Sequence, residues 1–353
     1  MTMTTSFVST NYLATALLPS IQQTEATLAS AGVEESTGQY ANIGLQLGDQ
    51  SGHELSLKNE NDLLQTLTSG NSIVTTNLTT SQDALNSILT GAQSAVSSLT
   101  EWNTGETNSP ATLQNIGVNA LQSLIATTNT TSNGQYVFGG INSSVAPMAD
   151  YFSSTTSAAK TAIDTAFSST LTTLGVTAST ITASQMQSFL SGPFAAQFSG
   201  TNWTSNWSSA SSTNTSGQIA PGETIDTSTN ANQPGFQQLA QGYAMLAGFG
   251  GSQLSAAAQQ VVASTASSLI TQGVNSITAT EANVGASLSQ VTDANSSMSS
   301  QMTILQTQIG NLDNVNSTTV AAQINTLSTQ LQTAYELTGQ LQKLSLAQYL
   351  PIS

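Results

Sequence analysis

"LQTLTSGNSIVTTNLTTSQDALNSILTGAQSAVSSL", residues 64–99, has the clearest periodicity in this chain. Apolar and small residues recur there at alternating intervals of three and four over about five heptads, a pattern that predicts one long helix of about 45 residues with a single buried face. The positions on that face are Leu64, Leu67, Asn71, Val74, Leu78, Ser81, Leu85, Ile88, Ala92, Ala95 and Leu99. The polar members, Asn71 and Ser81, predict a fixed helix register at some cost in stability. Such a face forms either the core of a helical bundle or an interface with another chain.

Local capping signals predict where this helix and others begin. Ser51–Glu54 and Thr278–Glu281 both have capping-box spacing, in which two side chains satisfy free amides of the first turn. Ser109 followed by Pro110 predicts another start, and Ser317 is expected to cap the last helix. The chain therefore contains several helices with defined starts on both sides of its centre.

Other helices are predicted from periodicity and from their flanking residues. Their ranges are 11–37, 110–128, 157–174, 184–190, 234–249 and 252–274. Two further apolar seams lie near the C-terminus, at Val284, Leu288, Val291, Met302, Leu305, Ile309 and Leu312 and at Val320, Ile324, Leu327, Leu331, Ala334 and Leu341. The chain is thus predicted to be helical towards both ends.

The middle of the chain has a different pattern. In "TSNGQYVFGG", residues 131–140, Asn133-Gly134 is a turn dipeptide and residues 136–138 favour a strand. "SGTNWTSNWSSASSTNTSG", residues 199–217, lacks helical periodicity and is predicted to form loops with short strands. Because the middle of the chain lacks the helical pattern of both ends, we predict an insertion of mixed secondary structure between two helical regions.

Composition excludes several classes of function. Charged residues make up 6% of 353, against roughly 25% in typical domains, and 18 acidic residues face three lysines and no arginine, giving a net charge of -15. Phosphate-rich nucleic acids and anionic membranes would be repelled, so neither is expected as a partner. No segment approaches the ~20 apolar residues of a membrane span, and no membrane insertion is expected. The N-terminus lacks the basic region of a cleaved signal peptide and has Pro19 in its apolar stretch, so we expect that any export of this protein uses another route.

Catalytic chemistry has few candidates in this chain. It has one histidine, His53, and no cysteine, so we expect no catalytic residues, no cofactor-binding or metal-binding residues, no cofactor and no enzyme activity. An alternative is a secreted glycan-binding or hydrolytic protein that stacks sugars on Trp203 and Trp207. Packing anchors are the more frequent role of two such tryptophans.

Four stretches in fixed order resemble the bacterial flagellin superfamily, and within it the hook-associated proteins of the hook–filament junction. They are "STGQYANIGLQLGDQSGHELSLKNE" (36–60), "NGQYVFGG" (133–140), "PGETIDTSTNANQPGFQQLAQGYAMLA" (221–247), and "EANVGASLSQV" with "LQKLSLAQYL" towards the C-terminus. The family usually has Arg or Lys where this chain has Gln, Asn or Ser, so neutral hydrogen bonds would replace ion pairs between subunits.

The resemblance implies a mainly α fold: an elongated antiparallel helical bundle or coiled coil built from both chain ends, with a smaller mixed α+β inserted domain. It implies a terminal coiled-coil domain (1–40 with 315–353), a helical rod domain with a short β-hairpin region (41–140 with 226–314) and an inserted outer domain (141–225). These boundaries are expectations that follow from the family.

The function implied by the resemblance is structural. The chain would form the junction between hook and filament and template flagellin assembly, the alternative being flagellin itself. Implied partners are flagellin, the other junction protein, further copies in a ring and an export chaperone, at an extracellular flagellar location. The expected assembly contacts are Leu17, Ile21, Leu28, Ile324, Leu327, Leu331, Leu341, Leu344, Leu346, Tyr349 and Leu350.

Overall fold

The computed structural model describes residues 10–104, 109–153, 157–251 and 253–347. They divide into two compact units. Unit 1 comprises the described residues up to Leu63 and from Ser300 onward, and unit 2 comprises Leu64–Ser299. The helices are α1 (Thr10–Thr37), α2 (Ile43–Leu47), α3 (Ser51–Thr104), α4 (Pro110–Thr128), α5 (Ala158–Leu174), α6 (Ala183–Phe189), α7 (Gly200–Asn206), α8 (Pro234–Phe249), α9 (Ala256–Asp313) and α10 (Ser317–Ala347). The strands are β1 (Thr131–Ser132), β2 (Gln135–Tyr136), β3 (Ser216–Ala220) and β4 (Glu223–Asp226), paired as two antiparallel hairpins.

Most of the heptad face of α3 is buried as predicted and forms part of the core of unit 2, whereas Leu67 and Val74 are half-buried. The polar residue Asn71 is almost fully buried within it, and its side-chain amide donates to the Ile219 carbonyl (2.8 Å) and to Asn295 Oδ1 (2.7 Å). One side chain therefore joins α3 to β3 and α9, which is the register-fixing role expected of a buried polar residue in an apolar seam.

Close contact between α4 and α8 organises the centre of unit 2. At Gly117 of α4 a Cβ atom would lie 2.3 Å from the Ala247 nitrogen of α8, so the two backbones touch where a side chain is missing. Nearby, Gln114 Nε2 donates to the Ala247 carbonyl at 3.1 Å. The α4–α8 spacing thus depends on a glycine at this position.

The insertion is built on an aromatic cluster. Trp203 and Trp207, each 1% exposed, stack at a centroid distance of 5.9 Å, and Trp207 also stacks on Tyr151 at 5.3 Å. The prediction of loops and short strands for residues 199–217 was wrong in part. Residues 200–206 form α7 because burial of Trp203, and of Trp207 directly after the helix, compensates for weak helix propensity.

The first hairpin follows its turn signal only in part. Asn133 and Gly134 both have positive φ (51° and 78°), as a two-residue hairpin turn requires, and Tyr136 lies in β2. Val137 and Phe138 do not continue that strand. Both are buried instead, and the Phe138 ring contacts Phe236 of α8.

The caps predicted for two helices are wrong. Helix α3 begins at Ser51, but no capping box forms, because a 3-10 turn leads directly into the helix and Ser51 Oγ donates back to the Gly48 carbonyl. Helix α10 begins at Ser317, yet Asn316 is its cap, since Asn316 Oδ1 accepts from the backbone N–H groups of Thr318 and Thr319.

The predicted break before Thr278–Glu281 is also wrong. Helix α9 runs from Ala256 to Asp313 without interruption, and Thr278 Oγ1 donates to the Val274 carbonyl within the helix. The expected start of the preceding segment, Ser252, lies outside the described residues. Helices α1, α4, α5, α6 and α8 are confirmed to within about two residues.

Candidate assembly surface

The heptad seams of α1 and α10 face each other in unit 1. Leu17, Ile21, Thr24, Leu28 and Ala31 follow a four-three spacing on α1, and Val320, Ile324, Leu327, Leu331, Ala334, Thr338 and Leu341 do so on α10. Tyr335 of α10 donates its hydroxyl hydrogen bond to Glu25 of α1. The two helices therefore form an antiparallel pair of coiled-coil type.

This pairing covers the seams incompletely. Ile21, Ala31 and Val320 are buried, whereas Leu17 and Leu28 of α1 are only half-buried. On α10 the half-buried seam residues are Ile324, Leu327, Leu331, Ala334 and Leu341. Two helices alone enclose little volume, so much of the apolar area on this pair stays in contact with water.

A groove of about 510 Å³ lies on the surface of the α1/α10 pair, next to the seam residues. Leu17, Ala334 and Leu337 line it together with Gln330 and three threonines. The hydroxyls of Thr326, Thr329 and Thr333 donate to the carbonyls four residues earlier, at 2.8–2.9 Å. Because these donors are already satisfied within α10, the groove is more apolar than its composition suggests.

The predicted assembly residues fall into two groups. Leu17, Ile21, Leu28, Ile324, Leu327, Leu331 and Leu341 all lie on the paired seams. Tyr349 and Leu350 lie outside the described residues, and the side chains of Leu344 and Leu346 are not among those described. The structure brings the first group together, and their role in assembly remains a proposal.

Sequence reasoning missed the outer positions of the same helices. Leu18 and Val33 on α1 and Tyr335 and Leu337 on α10 are between 44% and 54% exposed. Leu337 lies four residues after Thr333, so the two residues are neighbours on the surface of α10. A second stripe of apolar and threonine residues beside the main seam was the signal that would have revealed Leu337.

Two other kinds of site are absent from the described ranges. No group of three or more His, Cys, Asp or Glu side chains there is placed to hold a metal ion. None of the described helices combines the length and apolar character of a membrane span. Trp203 and Trp207, considered above for sugar stacking, have no exposed face for it.

An ion cluster lies at the base of the terminal pair. Lys58 Nζ of α3 is 2.7 Å from Asp313 Oδ2 at the end of α9, and Lys58 also pairs with Glu54 one turn earlier. The Asp313 side chain is 0% exposed. One of the chain's three lysines is therefore used to neutralise a buried carboxylate.

We expect alkaline pH to destabilise the folded chain. Hydrogen bonds to Asp313 and then Glu54 raise the pKa of Lys58 above its ordinary 10.5, and burial raises the pKa of Tyr151 and of Tyr243. Each group holds its proton more tightly when folded, so its stabilisation is complete below the unfolded-chain pKa and is lost as pH rises through the folded one. Thermal midpoints should stay level from about pH 8 and fall above about pH 10. A level midpoint at pH ~11.5, or a fall already below pH ~9, would contradict this.

Comparisons with known proteins agree with the geometry of the terminal pair. The profile of the bacterial flagellin N-terminal helical region matches residues 8–143, and that of the bacterial flagellin C-terminal helical region matches residues 267–350. Together the two matches cover more than half of the sequence, and the chain belongs to the bacterial flagellin family. Members of this family are structural proteins that are exported to the flagellum and associate there with other flagellar components.

A solved structure from Vibrio parahaemolyticus, provisionally described as a flagellar hook-associated protein, has the same fold. The TM-score is 0.50 at 13% identity, over 75% of this chain and 97% of that chain. A comparison with the curated proteins finds no significant match. The predicted mainly α fold, a helical bundle with a small inserted α+β region, is confirmed.

Proposed function

We propose that this chain is a non-enzymatic structural subunit of the hook–filament junction. The observation that supports this most directly is the α1/α10 pair, whose facing seams remain partly exposed in a single chain. Copies of the same pair, repeated around a ring, would cover the groove beside Leu17 and Leu337. The chain would then contact the other junction protein on one side and flagellin on the other.

The proposed division of labour follows the three predicted segments. Residues 1–40 with 315–353 would form an inner coiled-coil tube, 41–140 with 226–314 a rod, and 141–225 an outward-facing domain. Apolar burial between copies would supply the free energy of assembly, at about 25 cal/mol per Å² of apolar surface covered. No chemical step is required.

Deleting the gene distinguishes this role from that of flagellin. If the chain is the junction subunit, cells should keep hooks, lack filaments and release flagellin into the medium. Loss of the filament without released flagellin would assign the chain as flagellin itself. Normal filaments would overturn both assignments. Electron microscopy of sheared cells and immunoblotting of the medium measure these outcomes.

Replacing Leu337 with asparagine should weaken assembly without unfolding the chain. Leu337 is 44% exposed, so its substitution costs the single chain little, but its side chain lines the proposed contact groove. Losing one buried leucine at an interface corresponds to about 2 kcal/mol, or roughly a thirtyfold lower affinity. The measurement is the ratio of chain retained in sheared appendages to chain free in the medium.

Leu174→Asn is the matched control for this test. Leu174 is 40% exposed, similar to Leu337, but it lies at the end of α5 in unit 2 and is not part of the terminal pair. An equal loss of retention in both variants, or no loss in Leu337→Asn, would show that the groove is not an assembly contact.

A further inference from the structure

The two linkers that lead to the terminal helices are paired with each other. In unit 1, residues 38–42 follow α1 and residues 314–316 precede α10. Tyr40 N–H donates to the Asp313 carbonyl at 3.0 Å and Val315 N–H donates to the Gly38 carbonyl at 2.9 Å. Gly38, directly after α1, has φ of +72°, the left-handed conformation that commonly ends a helix. The two connections are therefore joined side by side and cannot bend independently while these bonds persist.

Asp313 takes part in this linker pairing through its backbone and in the ion cluster through its side chain. Its carbonyl accepts the Tyr40 bond, while its wholly buried carboxylate lies 2.7 Å from Lys58 Nζ. Glu54, 8% exposed, is the second partner of Lys58. A buried carboxylate without a counter-charge is strongly unfavourable, so the position of Asp313 depends on Lys58.

Other charged groups around the cluster have different partners or positions. The Glu34 carboxylate accepts from Ala41 N–H at 3.1 Å and so fastens the first linker back onto α1. His53, near Glu54 on α3, is exposed. Among the lysines with described ion pairs, Lys160 pairs with Asp164 in unit 2. Lys58 is thus the cation that the described structure offers to Asp313.

We propose that Lys58, Glu54 and Asp313 form an electrostatic clasp that holds the paired linkers closed and so sets the direction in which α1 and α10 leave α3 and α9. With the clasp closed, Asp313 is buried and both linker hydrogen bonds form. With the clasp open, Asp313 is in water, the linker bonds break and the α1/α10 pair pivots about Gly38 and Asn314. The consequence for subunit assembly rests on the proposed function, whereas the clasp itself is a property of the single chain.

Hydrogen exchange of the single full-length chain tests the clasp. In Lys58→Met, peptides containing the Tyr40 and Val315 amides should exchange at least about tenfold faster, while peptides from α4 and α8 keep their rates. Lys160→Met is the matched control, since it breaks an exposed pair in unit 2 and should change neither linker peptide. Unchanged linker exchange in Lys58→Met would overturn the proposal.

The double variant Lys58→Met/Asp313→Asn separates electrostatics from packing. Removing the buried charge as well should restore most of the linker protection lost in Lys58→Met, because an amide is far less costly to bury than an unpaired carboxylate. If the double variant exchanges as fast as the single one, Lys58 acts through packing and the clasp is refuted. Since these measurements need no assembly, they are independent of the Leu337 and gene-deletion tests of the proposed function.

Discussion

Replacing Gly117 with alanine should lower the free energy of unfolding of unit 2 by about 3 kcal/mol. The added methyl carbon would lie 2.3 Å from the Ala247 nitrogen and 2.7 Å from the Leu246 carbonyl carbon. These are backbone atoms of α8, which cannot move aside as the tip of a flexible side chain could. The helices α4 and α8 would have to separate, with loss of packing along both. Urea unfolding followed by circular dichroism measures the change.

Gly91→Ala provides the control for the Gly117 substitution. Gly91 is an exposed residue within α3, and a Cβ atom there would meet nothing within 4 Å. Alanine at this position should stabilise the helix by about 0.5–1 kcal/mol, because glycine loses more backbone entropy on folding. The two substitutions therefore have opposite expected signs. Equal stabilities for both variants would mean that α4 and α8 are not in backbone contact.

Trp203→Ala should destabilise unit 2 by about 3–5 kcal/mol. The side chain is 1% exposed, stacks on Trp207 and donates from its indole N–H to Asn232 Oδ1 at 2.8 Å. Its removal leaves a cavity in the aromatic cluster and an amide oxygen without its donor. Urea unfolding monitored by tryptophan fluorescence and circular dichroism would show the loss.

Tyr335→Ala is the corresponding surface control for Trp203→Ala. Tyr335 is 50% exposed and its hydroxyl contacts only Glu25 among the hydrogen bonds described, so the expected change is below about 1 kcal/mol. If the Trp203 variant were as stable as this control, the result would contradict the burial of Trp203. Stacking of a ligand on this side chain would then have to be considered again.

The long helices were predictable because their burial is periodic. In α3 the apolar positions recur at intervals of three and four residues over many turns, so they all lie on one face of the helix. That face meets the same neighbouring surface throughout, and the pattern in the sequence therefore reflects the packing. The terminal seams of α1 and α10 were predictable for the same reason. The part of the candidate surface that consists of the α1 and α10 seams therefore follows from periodicity alone.

Local motifs were less reliable than periodicity. Thr278–Glu281 has the letters of a capping box, yet it lies inside α9, where Thr278 bonds to the carbonyl four residues earlier. Gly273 lies just before it in the same helix. Leu239 of α8 packs directly over Gly273, so the glycine serves interhelical contact and not a helix end. Only the three-dimensional neighbour distinguishes these two uses of glycine.

The clasp and the groove were not predictable from the sequence. Lys58 and Asp313 are far apart in the chain, and a single lysine among acidic residues does not indicate which carboxylate it will meet. In the groove, the apolar character of Thr326 and Thr333 depends on the direction of their hydroxyl hydrogens, which is set by the helix. Both features arise from tertiary geometry.

The placement of the three lysines affects how the protein withstands digestion. With no arginine in the chain, a trypsin-like protease has only the bonds after Lys58, Lys160 and Lys343 to cut. All three lie inside helices, α3, α5 and α10. Such enzymes cleave extended, exposed segments, so the native protein presents them with no loop to cut. A member of a family that is exported to the flagellum would thereby resist one major class of protease without disulfide bonds.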